Sequence, residues 1–213
     1  MMHFLLGLDA FGVFASPYAP RAMRFDPYPA RDLGLPLDGY VYCYPCRANY
    51  LGGDIVSGLV ATNLTQESEI CVFLDIGTNG ELVVGNREFL MAGAGAAGPA
   101  LEGGVVKTGM RAVEGAVSYV RLEKGRFYLT VLGGGEPRGL CGSGIVDLIA
   151  QLYLNGMVDL RGKLIPESGG LEQRDGEWAV CYAPGLYFYQ SDIDAFLQTK
   201  AAANTMVEYM LDA

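Results

Sequence analysis

The chain contains one histidine, His3, close to its start. That scarcity excludes most imidazole chemistry, because a Ser–His–Asp triad, a Cys–His pair or a His-rich metal centre would each have to use this residue. Charge is scarce as well. Asp, Glu, Lys and Arg make up 18% of the 213 residues, below the ~25% of an average domain. The 15 basic residues against 24 acidic ones leave a net charge of −9 and no basic run, which argues against a nucleic-acid surface or an anionic-membrane patch. No apolar run reaches the ~18 residues of a membrane span. Residues 1–9 are apolar but lack a basic leader and end on Asp9, so no signal peptide is expected. Five cysteines, an odd number at 43, 46, 71, 141 and 181, make no disulfide framework. A reducing cytoplasm is the expected setting.

What is present is apolar mass and glycine. Apolar residues form 51% of the chain, which excludes a disordered polymer, and the length suits one to two domains with a real core. The 30 glycines are about twice the usual share and cluster between apolar runs, as turns do that bring backbone close to something.

Residues 1–10 read as the end of a helix, and the five prolines of 16–39 as an irregular connection. Residues 41–44 are a short strand stopped by Pro45. Ile55, Val56, Leu59, Val60 and Leu64 recur at helical spacing, with Asp54 as the N-cap. Residues 70–76, I-C-V-F-L-D-I, are expected as a buried strand that ends in an acid. Asn79-Gly80 is the expected hairpin turn, followed by strands over 81–85 and 89–92. Pro99 stands at a first helical position. Residues 116–122 and 126–132 flank a second hairpin at Lys124-Gly125. Residues 145–154 form an amphipathic helix closed by Asn155-Gly156, with Asp147 as an acid of its first turn. Residues 161–190 hold short polar strands, and Ser191 caps a final helix with Asp192 and Asp194 in its first turn. The order is mixed α/β without the regular alternation of a dinucleotide fold.

The sharpest motif is D-I-G-T-N-G-E, residues 75–81. A strand delivers the Asp75 carboxylate and a turn presents backbone N–H groups, an arrangement suited to a phosphate and a hydrated Mg²⁺. The bland reading is a β-hairpin whose aspartate caps its own turn. In G-L-C-G-S-G-I-V-D, residues 139–147, Gly142, Ser143 and Gly144 stand at a helix start, which favours anions. Their alternative is tight packing between strand and helix. Gly98, Pro99 and Glu102 form a third candidate, in which Glu102 faces a cleft or is only a helix-start acid. Cys43 and Cys46 make a C-x-x-C without the second pair that zinc needs, so packing thiols are expected. Thirteen tyrosines, among them Tyr182, Tyr187 and Tyr189, fit an apolar interaction surface.

Taken in order, M-x-H-x-x-L-G-L-D at the start, G-G-D-I-V-S-G (52–58), D-I-G-T-N-G-E, A-A-G-P-A-L-E-G-G (96–104) and G-L-C-G-S-G-I-V-D make the sequence resemble a known family. It is similar to the C-terminal ATPase region of the reductive activators of corrinoid proteins, often described only as ferredoxin-like or metal-binding. The resemblance spans at least 1–165 and extends to the helix from 191. It implies an α/β fold, an actin-like (ribonuclease H-like) ATPase lobe with a mixed sheet, flanking helices and an inserted β-hairpin. Residues 1–66 would be the tail of a first lobe with its connecting helix, and 67–213 a second lobe cut short at its C-terminal end. The implied activity is the ATP-dependent return of cobalt(II) corrinoid proteins to cobalt(I) for methyl transfer.

The cofactors implied are ATP and Mg²⁺, and the partner a corrinoid protein. Asp75 and Glu81 would be the catalytic acids, with Asp75 and Asp54 toward the metal. Gly77, Thr78, Asn79, Gly80, Gly98, Glu102, Gly142, Ser143 and Gly144 would line the nucleotide. The sequence departs from the family pattern in three ways: no N-terminal iron–sulfur cysteine set, no first phosphate turn, and no adenosine-side glycine motif after the last helix. Leu101 also stands where a bulkier aromatic is usual. A fragment inactive on its own is therefore expected. A non-catalytic module that binds a corrinoid protein or pairs with itself, and a lobe of a sugar or acyl kinase, are the competing readings.

Overall fold

The computed structural model describes residues 2–77, 79–96 and 98–212. The chain forms two compact units: Met1–Asp75 with Glu81–Ala94 and Tyr209–Ala213, and Ile76–Gly80 with Gly95–Glu208.

In the first unit the start of the chain makes two single turns, α1 (Met2–Leu5) and α2 (Phe11–Phe14), rather than the end of one helix. His3 is buried, its ring edge-on to Phe25 at 5.6 Å and its Nε2 accepting from the Ala22 N–H at 3.4 Å. Strands β1 (Tyr28–Pro29) and β2 (Tyr40–Val41) pair antiparallel. The strand expected over 41–44 stops at Val41, since in this register Tyr42 would face Pro27, and proline has no N–H to extend a ladder. Helix α3 (Gly53–Thr62) starts after Gly52, so Asp54 is a first-turn acid and not the N-cap. Its Oδ1 accepts from the neighbouring Ile55 N–H at 2.9 Å, and the favourable setting is the helix dipole. Gly58 lets α3 lie directly on the ring of Phe73, where a Cβ would come within 2.5 Å.

Three strands follow, β3 (Cys71–Ile76), β4 (Asn79–Gly85) and β5 (Leu90–Ala96), hydrogen-bonded in the order β3-β4-β5. Two expectations are corrected here. Asn79 and Gly80 begin β4 and are not the turn, and the Gly77 N–H reaches the Asn79 carbonyl at 2.8 Å. Nor is β3 buried. Val72, Leu74 and Ile76 are exposed, while Leu82, Val83 and Val84 of β4 are fully buried. The central strand β4 has neighbours on both edges and takes the core position.

The second unit opens with a 3-10 turn at Pro99–Glu102. β6 (Ala116–Glu123) and β7 (Arg126–Val131) form the expected hairpin. Lys124 at φ 49° and Gly125 at φ 76° supply the two left-handed residues of a type I′ turn. β8 (Gly139–Leu140) lies parallel to β6, giving a mixed sheet of order β7-β6-β8. Helix α4 (Gly142–Leu154) begins three residues before the expected 145 and packs on β6. Ile145, Leu148 and Leu152 are fully buried there with Val117, Val120 and Leu140.

Beyond Val117, where β8 ends, the edge of β6 is met by polar side chains of α4 spaced four apart. Ser143 Oγ donates to Ser118 O at 2.8 Å, Asp147 Oδ2 accepts from Val120 N at 3.3 Å and Gln151 Oε1 from Leu122 N at 2.9 Å. Asn155 Nδ2 reaches Leu122 O at 3.5 Å. Asp147 is therefore a strand-edge partner, not merely a first-turn acid.

β9 (Leu171–Arg174), β10 (Glu177–Ala183) and β11 (Leu186–Tyr189) form an antiparallel sheet with β10 central. These strands are not simply polar, since Ala179, Val180, Tyr182 and Phe188 enter the core. Helix α5 (Gln190–Leu211) follows without a loop. Its start is fixed not by Ser191 but by buried Asp192, whose Oδ2 accepts from the Tyr189 N–H at 2.9 Å, the third-residue acid half of a capping box.

Candidate functional site

Within the first unit, Glu81 lies in the field of two other carboxylates. Asp75 closes β3 and is exposed, Glu81 sits half-buried in β4, and Asp54 lies in the first turn of α3. Burial holds the Glu81 carboxyl above its ordinary value, and the negative charges of Asp75 and then Asp54 add to the effect. That is the electrostatic mark of a place short of positive charge. Among the described residues, no three His, Cys, Asp or Glu side chains converge on a common ion. The acids therefore do not make a dedicated protein cage. They fit the way Mg²⁺ is commonly held beside phosphates, by one or two carboxylates with water and phosphate oxygens completing the shell. Thr78 lies outside the described residues, as does the side chain of Glu102.

Within the second unit, the glycines of the two later motifs meet as bare backbone. A Cβ on Gly142 would come within 2.0 Å of Leu101 O, and one on Gly139 within 2.4 Å of Thr108 O. A Cβ on Gly109 would lie 2.3 Å from Gly103 O, and one on Gly103, at φ 77°, would lie 2.5 Å from Met110 N. Real Cβ contacts are never this short, so three segments, residues 98–104, 107–110 and 139–144, stack where only glycine fits. Hydrogen bonds complete the stack: Leu140 N donates to Thr108 O at 2.9 Å and Met110 N to Leu140 O at 2.8 Å.

Gly144 is pressed in the same way on Val117 O, at 2.1 Å, and Ser143 is tied to β6 by its hydroxyl. The packing alternative for these residues is thus realised. What they leave for a ligand is the set of N–H groups at the start of α4, which a helix cannot satisfy internally. Gly98 has a positive φ of 83°, a conformation that admits a close backbone approach at low cost.

Cys43 and Cys46 are free thiols. Burial pushes the Cys46 thiol up, against a smaller opposing hydrogen bond, and its Sγ lies 3.9 Å from Ala22 O. Among the described residues no helix is long and apolar enough to cross a membrane. Sequence reading missed the G103–G109 contact and the four-residue polar spacing along α4. The second was visible as S-x₃-D-x₃-Q-x₃-N from Ser143 to Asn155.

Comparison with known proteins gives these motifs a common setting. A family model described as the C-terminal domain of RACo, the ASKHA domain, matches residues 69–213, and one described as the RACo middle region matches residues 1–67. The chain is 34% identical over 167 residues to the corrinoid activation enzyme RamQ of Eubacterium limosum, covering 78% of this chain and 28% of that protein. It is 25% identical over 142 residues to the Co(II) methylated amine-specific corrinoid protein reductase of Methanosarcina barkeri, covering 56% of this chain and 26% of that one. A solved structure, described as a reductive activator for corrinoid,iron-sulfur protein, superposes with a TM-score of 0.81 at 35% identity, covering 100% of this chain and 36% of the other. The chain spans about a quarter to a third of the length of these relatives.

Proposed function

Because the chain belongs to the RACo family, with a middle region followed by an ASKHA domain, we propose that it is the nucleotide-handling part of an ATP-dependent reductive activator of a corrinoid protein. The observation that carries this reading is the set of carboxylates Asp54, Asp75 and Glu81, the last two belonging to the D-I-G-T-N-G-E motif. Asp75 and Asp54 would hold Mg²⁺, and the ion would offset phosphate charge. Gly77, Thr78, Asn79 and Gly80 would offer backbone and side-chain donors to phosphate oxygens. Gly98, Glu102, Gly142, Ser143 and Gly144 would complete the nucleotide surface, the last three through the N–H groups of the α4 start. Glu81 supports Asp75 and shares its charge.

The finer architecture is part of the proposal: residues 1–66 as a leading segment with the connecting helix, and 67–213 as an actin-like ATPase lobe. The partner is a cobalt(II) corrinoid protein, which gains one electron to become cobalt(I). The electron donor belongs to an iron–sulfur domain outside this chain, in a cytoplasmic, reducing setting. A second reading, a docking or self-pairing module without catalysis, is favoured by the exposed Val72, Leu74 and Ile76 of β3.

A few charge-assisted contacts at about 1.5–3 kcal/mol each stand against an association cost of about 4–15 kcal/mol. Weak ATP binding by this chain alone is expected. Amide exchange of the 213-residue chain at millimolar MgATP tests the reading. Slowed exchange over residues 76–80 and 98–104, abolished by chelating Mg²⁺, supports it. No protection anywhere at that concentration leaves the docking module as the better account.

A further inference from the structure

The segment between the second motif and β6 is held by a side-chain clamp drawn from sequence far downstream. The Lys107 N–H donates to Asp192 Oδ1 at 2.9 Å, while Asp192 Oδ2 takes the Tyr189 N–H. Lys107 Nζ lies 2.7 Å from Glu177 Oε1 and 3.7 Å from the centre of the Tyr189 ring. Glu177 in turn accepts from the Ser191 N–H at 2.8 Å and the Ser191 hydroxyl at 3.0 Å. Thr108 Oγ1 donates to Tyr187 O at 3.2 Å and accepts from the buried Tyr182 hydroxyl at 2.9 Å. Two adjacent residues are thereby bound to β10, β11 and the start of α5. The backbone of the same two residues, and of the two that follow, touches both of the other segments of the glycine stack.

We infer that Lys107 and Thr108 are positioning residues: clamped from the side of β10, β11 and α5, they set the register of the two glycine-rich turns, 98–104 and 139–144, against each other. The functional meaning of that register, presentation of backbone N–H groups to a nucleoside triphosphate, rests on the reading proposed above. The physical argument is that bare glycine contacts have no side chains to interlock. Stacked backbones of this kind slide unless something outside them fixes their position, and glycine segments have the most conformational freedom to do so. Lys107 supplies an ammonium group engaged twice, over an aromatic face and on a carboxylate. Thr108 supplies a hydroxyl that is donor and acceptor at once, which a valine of the same shape cannot replace.

The experiment is amide exchange of the 213-residue chain without nucleotide. Thr108→Val is expected to speed exchange at Gly109, Met110 and Leu140 by about tenfold, the scale of losing one or two part-buried hydrogen bonds, and Lys107→Met by about three- to fivefold, because its ion pair is exposed. The β6–β7 hairpin, whose ladder the clamp does not touch, keeps its wild-type protection. Thr108→Ser and Lys107→Arg restore the hydroxyl and the cation and return the same amides to within about twofold of wild type. Lys107 is partly exposed, so its methionine variant reports even where Thr108→Val fails to fold. Unchanged exchange at 109, 110 and 140, an equal rise across β6 and β7, or failure of both conservative variants to rescue would overturn the inference. Because no nucleotide is present, that failure is separate from a failure of MgATP to protect the wild-type chain.

Discussion

Asp147 on α4 accepts a hydrogen bond from the backbone N–H of Val120 on β6, so a helix side chain occupies the place of a neighbouring strand. With Ser143, Gln151 and Asn155 it continues the edge that β8 leaves after two residues. An unpaired strand edge at this depth would leave N–H groups without partners. The helix meets them without extending the sheet.

Replacing Asp147 or Gln151 by alanine is expected to destabilise the chain by about 1–3 kcal/mol each, the cost of orphaning a half-buried backbone donor. Urea denaturation reads this as a lower midpoint at constant slope. Asp147→Asn, which keeps an acceptor oxygen, should recover more than half of the loss. A neutral Asp147→Ala would mean that water satisfies Val120.

The glycines separate by environment. Gly142→Ala drives a methyl into the Leu101 carbonyl, and neither side can rotate away. A loss of about 1–3 kcal/mol or outright failure to fold is expected. Gly134 has a positive φ, 75°, and a Cβ there meets nothing within 4 Å. Gly134→Ala should cost only the left-handed penalty of about 1–2 kcal/mol. Thermal unfolding of the two variants ranks them.

Glu81 gives the pH dependence its sign. Its folded-state carboxyl is raised, by burial first and then by Asp75 and Asp54. A raised acid binds its proton more tightly folded than unfolded, so ionised Glu81 opposes folding above the raised value. The opposition disappears as pH falls through that value to below the ordinary 4.5. Glu81→Gln should therefore stabilise the chain at pH 7 by roughly 0.5 kcal/mol, a small figure because the site is only part-buried. The difference should vanish at about pH 3.5. Paired denaturation curves at the two pH values check it.

Asp75→Asn, placed in a full-length member of the family, removes one charge at constant size. Charge develops on phosphate oxygens during transfer, so the loss falls on the transition state more than on binding. ATP hydrolysis and cobalt reduction are expected to fall together by about 100-fold or more, with thermal stability unchanged or higher. An unfolded variant with normal activity per folded molecule would make Asp75 a turn residue only.

Much of the fold is legible because its signals are local. Lys124-Gly125 and Asn155-Gly156 end elements where left-handed φ is required, and the three-four spacing of α3 and the apolar face of α4 mark helices. Asp175-Gly176 was an equally strong hairpin signal between β9 and β10, hidden by the polar residues around it. The misplaced elements depend on partners. Residues 71–76 look buried because every position but Asp75 is apolar, yet burial belongs to β4, and no single strand records which neighbour will flank it. Asp54 and Ser191 look like caps from residue type alone, whereas the true boundaries are set by Gly52 and by Asp192. At the candidate site the motif residues were visible. The coupling of Glu81 to Asp54, and the stacking of Gly103 on Gly109 and of Leu101 on Gly142, are contacts across the fold that sequence spacing does not encode.

The bond from the Lys107 N–H to Asp192 joins residues 85 apart in the chain, and this bears on the order in which the protein is made. The glycine segments at 98–104 and 107–110 leave the ribosome well before their clamp. At a synthesis rate of about 5–20 residues per second, the wait is roughly 4–17 s. During that interval the β6–β7 hairpin can form from local contacts, whereas the segments at 98–110 stay unlocked until α5 begins. A pause or premature stop before residue 192 would leave the glycine loop unset, with Ile193 also missing from the core, and that loop open to proteases.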